Sequence, residues 1–64
     1  MTQKELLYLE DAVGHEDNII CILKESLNYL EDKELITFLK SELKKHESLR
    51  TKLINKLGDE ISAW

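Results

Sequence analysis

The chain of 64 residues has no proline, one cysteine, two glycines and four aromatic side chains. Each shortage excludes something. Without proline there is no obligatory break inside a helix. With Cys21 alone, an internal disulfide framework is excluded, which fits a reducing compartment. No Cys/His cluster has the spacing of a zinc finger. The longest apolar run, Ile19 to Leu23, is five residues, against the roughly 20 needed to cross a bilayer, so no membrane span is expected. Met1-Thr2-Gln3-Lys4-Glu5 lacks the basic region and apolar core of a signal peptide, and the acidic residues after it oppose an organelle-targeting helix. A cytoplasmic location at synthesis follows. There is also no glycine-rich loop and no basic face interleaved with aromatics, and the net charge is −4, so nucleic acid is not an expected partner.

What is present is helical periodicity. Leu6, Leu9, Val13, Glu16, Ile20, Leu23, Leu27 and Leu30 follow alternating steps of three and four, the seam of a helix packed in a bundle. Thr2-Gln3-Lys4-Glu5 reads as a capping box that starts helix 1. The seam carries it to about residue 30, roughly 42 Å at about 1.5 Å per residue. Asp32 is a good N-cap for helix 2, and Glu34 suits the positive end of its dipole. Helix 2 is expected over about 33–57, with Gly58 as a left-handed C-terminal residue. A short turn is expected over 59–64, Ile61 and Trp64 folding onto the end of the bundle. The apolar stripe of helix 2 is Leu35, Ile36, Phe38, Leu39, Leu43, His46, Leu49, Leu53, Ile54 and Leu57. Lys40, Lys44, Lys45, Glu47 and Lys52 lie opposite. The short connection makes the helices antiparallel neighbours. The fold class is therefore all-α, residues 1–64 forming a single helical-hairpin domain.

One hairpin cannot bury stripes this wide. Leu7, Tyr8, Ala12, Ile19 and Ile22 flank the first seam, and a chain below roughly 70–80 residues seldom builds a sufficient core alone. A C2 homodimer forming a four-helix bundle removes the difficulty. Residues 1–32 carry two basic and eight acidic side chains, and residues 33–64 carry seven basic and five acidic. This opposition biases one half toward the other, in the same chain or in a partner. Cys21 is expected as a small buried apolar side chain, and Tyr8, Tyr29 and Trp64 as core-edge packing. Gly14 is read either as a close approach of a neighbouring backbone or as a tolerated defect.

Glu16 is the exception in the seam, because a carboxylate removed from water needs a partner. Counting outward from a turn near Asp32 sets His46 at the same level. Two readings stay open. Glu16 and His46 form a charge-assisted hydrogen bond that fixes register, or the pair and its copy in a dimer hold a single zinc or iron ion. His15, turned about 100° from Glu16, belongs to the rim or surface.

Tyr8-Leu9-Glu10-Asp11-Ala12-Val13-Gly14-His15-Glu16, followed by a second helix running Phe38 to His46 and on to Leu53, resembles the short ferritin-like hairpins of the coat F type found among spore coat proteins of endospore-forming bacteria. The resemblance covers nearly the whole chain, and its specific part is the first stretch. It implies a ferritin-like four-helix bundle made by two hairpins, a non-enzymatic structural role in spore assembly, and other coat proteins as partners. Ferritin-like di-iron proteins pair a glutamate on one helix with Glu-x-x-His on the next. Glu16 matches the first position, but His46 falls where the second glutamate would be and Leu49 where the histidine would be. The resemblance therefore implies no ferroxidase chemistry, and leaves a metal-binding remnant at Glu16 and His46 as the alternative function. Small hairpin regulators of sporulation phosphorelays are a second alternative; the nearest stretch here, Ser41-Glu42-Leu43-Lys44, does not reproduce their Ser-Gln-Glu-Leu-Asp signature.

Overall fold

In the computed structural model, which describes residues 1–62, two helices pack side by side: α1 (Gln3–Leu27) and α2 (Lys33–Ser62). The start of α1 is fixed as its sequence dictates. The Glu5 amide donates to the Thr2 hydroxyl oxygen at 3.1 Å, and the Thr2 amide donates to Glu5 Oε1 at 2.9 Å, satisfying two amides that a helix end leaves without partners. At the other helix start, Asp32 Oδ1 accepts from the Leu35 amide at 2.9 Å, and the Asp32 carbonyl accepts from Ile36. Asp32 is thus the N-cap of α2.

Two boundaries differ from expectation. Helix α1 ends at Leu27 rather than near residue 30. Its last turn tightens, Asn28 donating to the Glu25 carbonyl and Tyr29 to that of Ser26, because an N-cap needs non-helical backbone and the chain must reverse before Asp32. Helix α2, in contrast, runs through Gly58 to Ser62, and neither glycine has positive φ. A mid-helix glycine costs about 1 kcal/mol relative to alanine, which is too little to end a helix that no proline interrupts. The Lys56–Glu60 ion pair at 3.1 Å bridges that turn. The expected separate turn over 59–64 is therefore replaced by helix up to Ser62, while Trp64 and the Ile61 side chain lie outside what is described.

The contact between the helices is the seam. On α1 the inward line is Leu6, Leu9, Val13, Glu16, Ile20, Leu23 and Leu27, each at least half-buried, with Leu30 continuing it beyond the helix end. On α2 the line is Ile36, Leu39, Leu43, His46, Arg50, Leu53, Leu57 and Glu60, which keeps the three-four alternation but admits Arg50 and Glu60, neither of them in the expected stripe. Leu35, Phe38, Leu49 and Ile54 are instead exposed. Cys21, expected in the interior, is also exposed; it follows Ile20, so one residue of helix turns it about 100° away from the seam. Tyr8 and Tyr29 do not pack at a core edge either, being 61% and 79% exposed. Among the described residues only Glu16 and Ile20 are buried, at 8% and 9% exposure.

The two faces of this hairpin are unlike. The residue just before each seam residue lies about 100° round its helix, and because the helices are antiparallel, stepping back along either one turns toward the same face. That face carries Tyr8, Ile19 and Ile22 from α1 and Leu35, Phe38 and Leu49 from α2, together with the charged Glu5, Glu42, Lys45, Lys52 and Lys56. The residues just after each seam position make the other face, where Glu10, Asp17 and Lys24 stand beside Lys40, Lys44 and Glu47, with Leu7 and Ile54 as its exposed apolar members.

Candidate functional site

Glu16 projects from the middle of α1 and His46 from the middle of α2, each at a seam position, and the packing of the two seams brings them together. His46 Nδ1 lies 2.6 Å from Glu16 Oε2. An ionised carboxylate only accepts hydrogen bonds, so Nδ1–H donates and the carboxylate receives. The side chains are 28% and 11% exposed, so this charge-assisted bond is sheltered from water on most sides. It gives Glu16 the partner that its place in an apolar seam demands, and no buried side-chain nitrogen or oxygen among the described residues lacks a hydrogen-bond partner.

A second polar contact sits beside the first. The Arg50 guanidinium donates through Nε to Asp17 Oδ1. Sequence reasoning missed this pair because an arginine in an apolar line reads as a break. Its signal was present nonetheless: Arg50 lies four residues after His46 and three before Leu53, in step with the seam, and Asp17 adjoins Glu16. Arg50 thus holds a seam position while its guanidinium pairs with a carboxylate that is half exposed. The polar layer therefore has a sheltered member, Glu16–His46, and a more exposed one, Asp17–Arg50.

As a metal centre this layer is incomplete within one hairpin. Among the described residues no three His, Cys, Asp or Glu side chains gather as a ligand set. The bond to Nδ1 also changes what Glu16 can do. Metal-bound histidines commonly donate one ring N–H to a carboxylate and ligate through the other nitrogen. In this geometry His46 Nε2 is the atom suited to a metal, and Glu16 orients the ring. His15 is exposed; it lines the outside of α1 with Asp11 and Asn18 and, preceding Glu16, borders the face that carries Tyr8 and Ile19. A second shallow surface, lined by Ser41, Lys44, Lys45, Ser48, Leu49 and Lys52, lies along α2. Neither includes Glu16 or His46.

No helix among the described residues is long and apolar enough to cross a membrane. No family model matches the chain, and no curated protein or solved structure matches it.

Proposed function

We propose that this chain is a non-enzymatic structural or interaction protein that acts as a homodimer, two hairpins forming one four-helix bundle. Its place, on the resemblance to the coat F type, is in the spore coat, with other coat proteins as further partners. The observation that carries the dimer is the face bearing Tyr8, Ile22 and Phe38, exposed by 61%, 61% and 58% in the single hairpin, while among the described residues only two are buried between the helices. A chain gains by covering large apolar side chains gathered on one face in this way. Dimerisation makes unfolding depend on concentration, so the melting temperature should rise with protein concentration; a concentration-independent melt would contradict the reading. For the role, the protein should appear in the detergent-resistant coat fraction of spores of a host that encodes it. Recovery only from the soluble fraction of vegetative cells would contradict a coat component.

A second reading, a metal-binding remnant of a ferritin-like site, is favoured by one observation: the carboxylate on Nδ1 holds His46 as metal-ligating histidines are held. The dimer would supply a second imidazole. Protein purified without an affinity tag should then take up Zn²⁺ with a saturable stoichiometry, and Glu16→Gln should weaken binding by about 10–100-fold. No uptake at equimolar Zn²⁺ would remove this reading.

A further inference from the structure

We infer that the apolar face receives a second copy of the chain with the two turns at the same end of the bundle, so that α1 of one hairpin lies on α2 of the other. This rests on the homodimer proposed above and adds its surface and its polarity. The size of the face fits a second copy. About 37 Å of helix by about 20 Å across two helices gives roughly 750 Å², close to the ~800 Å² that each partner contributes to a standard interface.

The polarity follows from where the charges and apolar groups fall along that face. Residues whose numbers add to about 62 share a level, as Glu16 and His46 do. The turn half of the face is mainly apolar, with Ile19 and Ile22 on α1 and Leu35 and Phe38 on α2, and Glu42, paired with Lys45, is its charged member. The open half keeps Tyr8 and Leu49 but also carries Glu5 and, at its rim, Asp11 on α1, opposed by Lys52 and Lys56 on α2. A twofold axis along the bundle lays turn half on turn half. Ile22 then meets the partner's Phe38, Glu5 meets the partner's Lys56, and Asp11 meets the partner's Lys52.

A twofold axis across the bundle at the Glu16 level gives the other arrangement, with turns at opposite ends, which is the one a ferritin-like bundle with its single long crossover has. Here it would cover Leu35 and Phe38 with the partner's Lys52 and Lys56. It would also set Glu5 near the partner's Glu25 and Lys45 on the partner's Lys45. Like charges placed opposite one another at an interface disfavour that docking. In the favoured arrangement both Glu16–His46 pairs stay at one level, and docking covers the exposed edge of His46, because Glu16 and His46 occupy the seam positions that lean toward this face.

The test labels the turn. Glu31→Cys in a Cys21→Ser background carries a nitroxide, and pulsed electron paramagnetic resonance reads the distance between the two labels of a dimer. Turns at the same end predict about 20–30 Å, two helix layers about 10 Å apart plus the label arms. Turns at opposite ends of a hairpin 48 Å long predict more than about 40 Å. A dimer with the long distance overturns this docking while leaving the homodimer standing. A monomer by sedimentation overturns both. A charge swap gives an independent measurement: Lys52→Glu should weaken the dimer, and Asp11→Lys added to it should restore affinity. Absence of rescue in a folded protein would also overturn the docking.

Discussion

Glu16 and His46 act first on stability. Removing one partner of a sheltered hydrogen-bonded pair strands the other, so His46→Ala should cost about 1–3 kcal/mol. Glu16→Leu combined with His46→Leu should be neutral or stabilising by up to about 3 kcal/mol, since a well-packed apolar pair avoids the desolvation of two polar groups. Urea denaturation of both singles and the double checks this; equal and additive losses would mean that the two side chains do not interact. The more exposed Asp17–Arg50 pair should matter less, with Asp17→Ala costing no more than about 1 kcal/mol. The level of Glu16 and His46 was legible in the sequence, because a short turn between two helices fixes which residues face each other. Arg50 was not legible, since no periodicity distinguishes a charged side chain that packs its stem from one that breaks a seam. Cys21 was misplaced by one residue of helical rotation, enough to move it from the interior to the surface.

The helix starts were readable from local chemistry, and the helix ends were not. Capping residues make their own hydrogen bonds within three residues, so Thr2, Glu5 and Asp32 specify their positions without reference to the rest of the fold. Where a helix stops depends on what the chain must do next, and this is why α1 ended early and α2 passed through Gly58. Hydrogen bonds from the Thr2 backbone, and then from its side chain, hold the Glu5 carboxyl below its ordinary value of 4.5. A group whose folded-state value is lowered contributes stability that is complete above the ordinary value and is lost as pH falls through the lowered one. Glu5→Ala should therefore destabilise at neutral pH and lose that effect in strong acid, as thermal melts at the two pH values would show. Thr2→Ala should cost about 1 kcal/mol. Gly14 and Gly58 sit inside helices, and an added Cβ would meet nothing within 4 Å at either. Gly14→Ala and Gly58→Ala should each stabilise by about 0.5–1 kcal/mol in denaturant titrations. A loss at Gly14 would indicate that a second chain approaches there.

The whole hairpin is amphipathic in a way that neither helix is alone. Its extents of 48 × 14 × 12 Å describe a narrow two-helix rod, and one pair of helices needs a further layer to enclose a core. The width of the apolar stripes was readable from sequence; which residues of each stripe turn inward was not, because Leu35, Phe38 and Leu49 satisfy a broad helical stripe as well as the inner line does. The pairing of two antiparallel helices decides that, and it leaves these side chains together on one face. Glu substituted for Ile22 or Phe38 should abolish association, whereas Ile54→Glu on the opposite face should leave it intact. Sedimentation equilibrium at micromolar concentration tests the central claim most directly. The homodimer predicts twice the 7.5 kDa mass of the chain, falling to the single mass for Phe38→Glu. A well-folded wild-type monomer at that concentration would contradict it.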